Sequence, residues 1–528
     1  MKFQTLTLSG SLLLTLFAFS TLNVVAAYKY LAVLHTAGKS HFIVGSSLMR
    51  ALAQKGHEVY VISPFPQKQP IENYHDIPLP SMIKAFADTV KNFWEINDRS
   101  MVANIFSRYD LGTRITEVAL NDSNVQQLMA SNHTFDAVIC EVFLSEALYG
   151  LSEHFKAPLI GLGTFGAISW NTDMVGSPSP PSYVPLVALK LTDRMTLMER
   201  VQNLAFLTLE KIIMEWYYLP RQAAIYRKYF PHLPRDMYEV RKNAALVLLN
   251  THVSLAYPRP YMPNQIEVGG MHINRHRKPL PEKIEKFIND SKHGVIYFSM
   301  GSNLKSKDMP VEKKNEILKA FKNLKQRVLW KFEDKEMKGK PENVLISDWF
   351  PQDDILAHKN VKVFITHGGL LSTTESIYHG VPVIGIPIFG DQFLNMAAAE
   401  RNGYGLTLDY KTLKAESLLR ALKRVINEES FQHNIMEISQ RYKDQDMLPM
   451  DRAIYWVEHV VRQNGAKYLH CAGLDLNFVQ YHNLDAMLIL YGGFALVLFI
   501  VVYCMKLLFK TLVRMVKPKQ KKRKEKRN

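Results

Sequence analysis

The sequence has few cysteines for its length. Cys140, Cys471 and Cys504 are the only three in 528 residues, so the chain cannot rest on a framework of disulfide bonds. No cysteine and histidine cluster has the spacing of a zinc site, and no internal repeat is visible. The fold must therefore stand on its hydrophobic core, and a hydrophobic content of 47% is enough for two domains.

The chain also lacks the spread of positive charge that nucleic-acid binding requires. Its net charge is +16, but the segment 506–528 alone carries +10. The remaining +6 is distributed over the rest of the chain and forms no basic stripe. We therefore expect no nucleic-acid partner.

The two ends of the chain predict a membrane-anchored protein. Residues 1–27 combine a basic start, a short apolar stretch and small residues before Tyr28, which indicates a signal peptide; an uncleaved anchor is the alternative. Residues 484–508 predict a transmembrane helix, because Ala486 to Met505 contains no charged residue and about 20 helical residues span a bilayer core. The basic tail 509–528 should stay in the cytoplasm. These features predict a single-pass type I protein with lumenal domains.

The last residues predict the compartment. Lys526 and Lys524 stand third and fifth from the C-terminus, which resembles the dilysine signal that retains membrane proteins in the endoplasmic reticulum. Three glycosylation triplets, which begin at Asn121, Asn132 and Asn289, fit a lumenal chain. We expect a glycoprotein of the endoplasmic reticulum membrane.

Between the ends, strands and helices alternate. Tyr30 to His35 and Val59 to Ser63 are strand patterns that flank a helix pattern over His41 to Lys55, and such alternation favours a parallel doubly wound sheet. A second series of strands starts at Gly294. We predict an α/β fold with a first domain over 28–270, a linker over 271–290 and a second domain over 291–465.

The chemistry concentrates between Trp349 and Gln392. A strand that ends at Thr366 leads through two glycines into a helix, and ligands of doubly wound folds bind beyond the carboxyl ends of strands. Free amides at a helix start bind phosphate. We expect the turn and the helix start to hold a diphosphate, through His367, Gly368, Gly369, Ser372 and Thr373. A carboxylate repels phosphate, so Glu375 should accept hydrogen bonds from a sugar diol. Asp391 and Gln392 follow the next strand and suit sugar hydroxyls.

These residues stand at the offsets of a known signature. With Trp349-Phe350-Pro351-Gln352, Pro382 and Pro387, the chain resembles the UDP-glycosyltransferases over nearly its whole length, and the run from Gly369 to Thr373 is most similar to the insect branch. The resemblance implies a GT-B fold, in which two Rossmann-like domains face each other. It implies that the second domain binds the UDP-sugar and the first binds a small lipophilic acceptor.

The resemblance also assigns residue roles. Trp349 would stack on the uracil, although core packing is an alternative for this side chain. Gln352 would bind the nucleoside, Ser302 would help to hold the diphosphate, and Glu375 would bind the ribose. Asp391 and Gln392 would hold the transferred sugar.

His41 is the expected catalytic base. It lies at a strand-to-helix turn, and a neutral histidine can take the proton of an acceptor hydroxyl. From the residues alone, a helix-capping or core histidine is the alternative, and His35 is a nearby competitor; the resemblance favours His41. The family usually orients its base with an aspartate, whereas this chain has Glu141 at that position. Asp136 is the alternative carboxylate.

The expected reaction is a single displacement that inverts the anomeric carbon. The donor should be UDP-glucose, acting as a co-substrate, and we expect no cofactor and no metal. A lipophilic acceptor suggests conjugation in detoxification. The sequence leaves homo-oligomerisation open, and it leaves two other functions open: a UDP-sugar or aglycone-binding protein that is catalytically weak, and a type I receptor.

Overall fold

A computed structural model describes residues 27–89, 94, 99–275 and 278–516. Nearly all of the predicted signal peptide, 1–27, and residues 517–528 of the predicted basic tail lie outside this part of the chain. The described chain forms one compact unit up to His470 and a second unit from Cys471.

The first half of the chain forms a parallel seven-stranded sheet. Its strand order is β3-β2-β1-β4-β5-β6-β7, and every neighbouring pair is parallel. The order reverses between β1 and β4, which is the switch point where doubly wound folds bind ligands. The strands are β1 Lys29–Val33, β2 Glu58–Ser63, β3 Tyr74–Pro78, β4 Ala137–Glu141, β5 Leu159–Gly163, β6 Leu246–Leu249 and β7 Gln265–Glu267.

Helices cover both faces of this sheet. Leu31 and Val33 of β1 belong to one buried apolar cluster, whereas Tyr30 and Ala32 belong to another, because successive side chains of a strand point to opposite faces. The helices of this half are α1 Lys39–Gln54, α2 Pro80–Thr89, α3 Met101–Asn121, α4 Ser123–Met129, α5 Gly150–His154, α6 Ser169–Thr172, α7 Leu197–Ile213, α8 Leu219–Tyr229 and α9 Met237–Lys242.

The second half repeats this architecture with a six-stranded sheet. Its order is β10-β9-β8-β11-β12-β13, again parallel throughout. The strands are β8 Val295–Ser299, β9 Arg327–Lys331, β10 Val344–Ser347, β11 Val361–Thr366, β12 Val383–Gly385 and β13 Gly405–Thr407. The helices are α10 Glu282–Asn289, α11 Val311–Lys322, α12 Gln352–Leu356, α13 Leu370–His379, α14 Gln392–Arg401, α15 Ala415–Asn427 and α16 Glu429–Lys443.

Two segments depart from the predicted domain boundaries. Helix α10 lies within the predicted linker 271–290, yet its Ile284 and Ile288 pack in the core of the second sheet. Helix α17, Pro449–Arg462, lies within the predicted second domain 291–465, yet its Val457 packs in a core cluster of the first sheet. The chain therefore crosses back to the first sheet after completing the second.

The unit after Cys471 contains a short helix, α18 Phe478–Tyr481, and a long one, α19 Leu484–Val516. Helix α19 has 33 residues and is apolar and long enough to cross a membrane. It extends eight residues beyond the predicted 484–508, and its length fits a single-pass anchor.

Candidate active site

The carboxyl ends of the two sheets border one cavity of about 380 Å³. From the first sheet, the start of α1 and the loop after β5 contribute to its wall. From the second, the loops after β8, β10, β11 and β12 do so. The predicted site residues that line it are His41, Ser302, Trp349, Gln352, His367, Gly369, Ser372, Glu375, Asp391 and Gln392.

His41 faces this cavity from the first turn of α1. Its Nδ1 is hydrogen-bonded to Oε1 of Glu141. Its ring packs against the edges of Phe143 and Phe165, with centroid distances of 4.9 and 5.1 Å, and these two rings also contact each other. Because the carboxylate takes Nδ1, the tautomer with the proton on Nδ1 leaves Nε2 free to act as a base.

Glu141 ends β4 and is almost fully buried. Thr36 donates a hydrogen bond of 2.7 Å to its Oε2, and Thr164 donates one of 3.2 Å to its Oε1. Burial acts to raise the pKa of Glu141, but the charge and hydrogen bond of His41 outweigh it and hold this pKa below its ordinary value. The side chain is therefore an anion at neutral pH and can orient the imidazole.

The two alternatives for the catalytic pair are placed elsewhere. His35 is completely buried behind Glu141, with 3.9 Å between its Nδ1 and Oε2, and it does not line the cavity. Asp136 is exposed at the start of β4, where it accepts a hydrogen bond from the backbone of Lys29. Neither can reach a ligand in the cavity as His41 does.

The start of α13 offers backbone amides to the cavity. Gly369 is its N-cap and supplies no side-chain cap. The first hydrogen bond of the helix runs from Thr373 N–H to Gly369, so the amides of Leu370, Leu371 and Ser372 have no partner within the helix. The carboxylate of Asp391 accepts from the Leu370 amide, which leaves those of Leu371 and Ser372 for a ligand, and both of these residues line the cavity. Free amides and the positive end of the helix dipole together suit an anion.

Two side chains beside this helix start add donors. Burial, together with the positive charge of Lys331, lowers the pKa of His367 to about 4, so this imidazole is neutral at pH 7. Lys331 is nine-tenths buried, donates a hydrogen bond of 2.6 Å to the carbonyl of Gly301, and lines the same cavity. Sequence patterns do not point to Lys331, since a lysine that ends a strand is usually a solvated side chain.

Trp349 and Gln352 lie at one end of the cavity. The ring of Trp349 is half exposed and has Nζ of Lys39 at 5.6 Å and Nζ of Lys331 at 5.9 Å from its centroid. Gln352 donates through Nε2 to Glu375, at 2.6 Å, and to Ser372, at 3.1 Å. This end presents a flat aromatic face beside polar groups.

Asp391 and Gln392 line the same cavity as His41. Gln392 uses Oε1 to accept the N–H groups of Ile388 and Phe389, at 2.7 and 3.1 Å, which directs its amide nitrogen away from the loop. Burial raises the pKa of Asp391, and its hydrogen bond with Asn395 and the charge of His41 act in the opposite direction. The base and this carboxylate therefore border the same cavity.

Two residues that were predicted to contact the diphosphate do not line the cavity. Thr373 is buried, and its hydroxyl donates back to the carbonyls of Gly369 and Leu370, at 3.2 and 2.9 Å, so it is not free for a phosphate. Gly368 does not line the cavity either. It shapes the turn instead, since its φ of +84° suits glycine and a Cβ would lie 2.7 Å from Met396.

Comparison with solved structures defines the class of fold. A glycosyltransferase named VinC, in complex with dTDP, has a TM-score of 0.56 at 17% identity and covers 82% of this chain and all of its own. The calicheamicin glycosyltransferase CalG4 has a TM-score of 0.54 at 14% identity and covers 83% of this chain and 99% of its own. The protein has the GT-B fold of such glycosyltransferases.

Sequence comparison defines the family. Residues 29–521 match the family described as UDP-glucoronosyl and UDP-glucosyl transferase. UDP-glycosyltransferase UGT5 of Dactylopius coccus is 35% identical over 94% of this chain and 95% of its own; UDP-glucosyltransferase 2 of the same insect is 36% identical over 90% and 92%. UDP-glucuronosyltransferase 2B15 of Homo sapiens is 32% identical over 92% and 94%. The chain belongs to the UDP-glycosyltransferase family, whose members transfer sugar from UDP-sugars to acceptors.

Proposed function

We propose that the protein transfers glucose from UDP-glucose to a hydroxyl group of a small lipophilic acceptor, with inversion at the anomeric carbon. One observation supports this most: a histidine held by a buried carboxylate and a helix start whose Leu371 and Ser372 amides have no helical partner line the same cavity. The first arrangement suits proton removal and the second suits a departing diphosphate.

The proton path runs through His41. Nε2 takes the proton of the acceptor hydroxyl while the oxygen forms a bond to the anomeric carbon. The bond from that carbon to the diphosphate oxygen breaks on the opposite face, and UDP leaves with the electron pair. Glu141 holds Nδ1–H and stabilises the imidazolium that forms. An α-linked donor then gives a β-linked glycoside.

The negative charge that develops on UDP would be taken up by protein groups. The amides of Leu371 and Ser372 stand at the positive end of α13, and Lys331 and neutral His367 line the same cavity. Such preorganised donors stabilise a leaving group without rearrangement. Ser302 lies on the same wall and would add a hydroxyl.

We predict that turnover does not depend on a divalent metal, because these groups supply the compensating charge. Transfer measured after dialysis against EDTA should equal transfer with added Mg²⁺ or Mn²⁺. A loss of most activity in EDTA that Mg²⁺ restores would contradict this assignment.

The remaining roles are those that the family resemblance implies, and the residues that would carry them line the cavity. Trp349 would stack on the uracil, Gln352 would bind the nucleoside and Glu375 would bind the ribose. Asp391 and Gln392, near His41, would bind the hydroxyls of the sugar. The insect relative named as a UDP-glucosyltransferase supports glucose as that sugar.

Aromatic side chains support a lipophilic acceptor. Phe143 and Phe165 flank His41, and Trp170 lies 5.6 Å from the ring of Phe143. Beyond Phe165 and Asp391, a smaller cavity of about 90 Å³ is bordered by Tyr183 and Tyr257. An apolar acceptor could bind there with its hydroxyl directed toward His41. We further propose a lumenal site in the endoplasmic reticulum, where such conjugation would serve detoxification.

A donor competition assay on permeabilised membranes tests the proposal. UDP-glucose, UDP-glucuronate and UDP-N-acetylglucosamine would compete for transfer to a panel of phenols, with the glycoside identified by mass and by its anomeric configuration. We expect a β-glucoside as the main product. UDP-sugar binding without glycoside from any donor would favour the binding-protein alternative, and a different sugar would correct the donor.

A further inference from the structure

The buried side chain of His272 lies on the cavity wall, and the proposed function assigns it no role. Its side chain is 2% exposed and lines the cavity. Neither ring nitrogen has a hydrogen-bond partner within the described residues. A buried polar group without a partner is destabilising, so an unpaired imidazole on a cavity wall indicates a bound partner.

The imidazole faces an unused oxygen of Glu375. Nε2 of His272 lies 3.5 Å from Oε1 of Glu375, which is too far for a good hydrogen bond. The other carboxylate oxygen, Oε2, already accepts from Gln352 at 2.6 Å. A hydrogen-bond acceptor and an imidazole nitrogen therefore stand side by side, and neither is satisfied by the other.

The backbone that carries His272 is fixed in place. Tyr442 donates a hydrogen bond of 2.7 Å to the carbonyl of Gly269. Gly270 has a φ of +88°, and a Cβ there would lie 1.7 Å from the Tyr442 hydroxyl, so only glycine fits this turn. On the other side, the N–H of Asn274 donates to Asp353 at 3.1 Å. The imidazole is therefore positioned before any ligand binds.

We propose that His272 and Glu375 together bind the ribose diol of the nucleotide. A hydroxyl group both donates and accepts, a carboxylate only accepts, and an imidazole N–H donates. One ribose hydroxyl can donate to Oε1 of Glu375 while it or its neighbour accepts from His272. In the proposed function His41 and Asp391 contact the acceptor and the sugar, so Glu375 is left for the nucleoside. This inference rests on the proposed function.

Equilibrium binding of UDP, 2′-deoxy-UDP and 3′-deoxy-UDP to the full chain in detergent tests the inference. The wild-type protein should prefer UDP over at least one deoxy analogue by about tenfold, the usual value of one well-placed hydrogen bond. His272→Phe keeps the bulk of the ring and removes its nitrogens. It should weaken UDP binding by about tenfold and reduce that preference to within about threefold.

Two further variants separate recognition from structure. His272→Gln retains an N–H donor and should keep part of the preference for UDP. His358→Phe removes a buried imidazole that is bonded to Asn289, outside the cavity, and should leave the preference unchanged.

The outcomes separate a failure of this inference from a failure of the proposed function. If His272→Phe weakens the binding of all three nucleotides by the same factor, His272 does not recognise the ribose hydroxyls. The same conclusion follows if the wild-type protein binds the three nucleotides equally well. If the wild-type protein binds no UDP at all, the proposed function fails.

Discussion

Glu141 has one methylene more than the aspartate usual in the family, and its surroundings offset the extra freedom. The carboxylate ends β4, Thr36 follows β1 and Thr164 follows β5, so the carboxyl ends of three adjacent strands meet at this side chain. Thr36 holds one oxygen and Thr164 the other. Thr164 also lies 3.0 Å from Nδ1 of His41. The longer side chain is therefore fixed by hydroxyl groups at both oxygens.

Thr164→Val should lower kcat by about tenfold, the value of one hydrogen bond of roughly 1.4 kcal/mol that orients the base. The KM for the UDP-sugar should not change, because Thr164 does not belong to the second sheet, where the donor is expected to bind. Steady-state kinetics with both substrates varied would measure this. Thr116→Val is the matched control, since Thr116 is buried in the same half but bonds to the carbonyl of Leu144. Equal kcat values for the two variants would contradict the assignment.

His367 makes stability depend on pH. Burial, with the positive charge of Lys331, lowers the pKa of His367 to about 4, against about 6.5 in the unfolded chain. The unfolded chain therefore binds more protons between these values, and stability present above pH 6.5 is lost as the pH falls toward 4. The loss is about 3 kcal/mol in total.

Thermal unfolding of the ligand-free protein between pH 7 and pH 4.5 would measure this loss. His367→Gln keeps a polar side chain but cannot titrate, so its melting temperature should fall less steeply over this range than that of the wild-type protein. Parallel curves for the two proteins would show that His367 does not carry the dependence.

At the scale of elements, the turn between β11 and α13 determines where the helix amides point. Gly368→Ala would place an L-residue at a φ of +84° and a Cβ at 2.7 Å from Met396, so the turn must shift. UDP affinity should fall by at least about tenfold, with a stability loss of about 1–3 kcal/mol.

Gly339→Ala is the matched control for this turn. Gly339 also has a positive φ, of +76°, but nothing lies within 4 Å of its added Cβ. It should lose some stability and keep its UDP affinity. Calorimetric titration of UDP into both variants would decide, and equal affinities would show that the Gly368 turn does not position the binding site.

The elements that sequence predicts well are those whose signals are local. The strand predicted over Val59 to Ser63 is observed as Glu58–Ser63, and the strand predicted to end at Thr366 ends there, because each is a short apolar run that ends at a turn. The GT-B fold is predicted correctly through the family signature rather than through periodicity. Helix α13 begins at Leu370, directly after the two glycines.

The features that sequence missed depend on packing between distant segments. The apolar face of α17 predicts a helix but does not say which sheet it covers. A lone histidine such as His272 gives no signal in a loop, because its burial comes from the surrounding cavity wall. Whether the hydroxyl of Thr373 faces a ligand or its own helix is decided by a rotation of the helix that spacing does not reveal.

At the scale of the whole molecule, α17 returns the chain from the second sheet to the first. Val457 packs against the first sheet, and Glu458 accepts a hydrogen bond of 3.0 Å from His57 and pairs with Lys55 at 2.5 Å. A chain that ends at His470 keeps these contacts and lacks the anchor helix α19. It should be recovered in the soluble fraction and still bind UDP.

A chain that ends at Lys443 would lack α17 and expose the face of the first sheet that Val457 covers. It should aggregate or melt at a clearly lower temperature, because removing a buried helix exposes a large apolar area. Fractionation and thermal unfolding of the two shortened chains would test this. Equal solubility and melting temperatures would contradict the role given to α17.

The most direct test of the central claim is the effect of His41→Ala on transfer and on UDP binding in the same preparation. The account predicts that glycoside formation falls by about 10²- to 10⁴-fold, the usual value of a general base, while the Kd for UDP stays within about threefold of the wild-type value. A His41→Ala protein that forms glycoside at the wild-type rate would contradict the account.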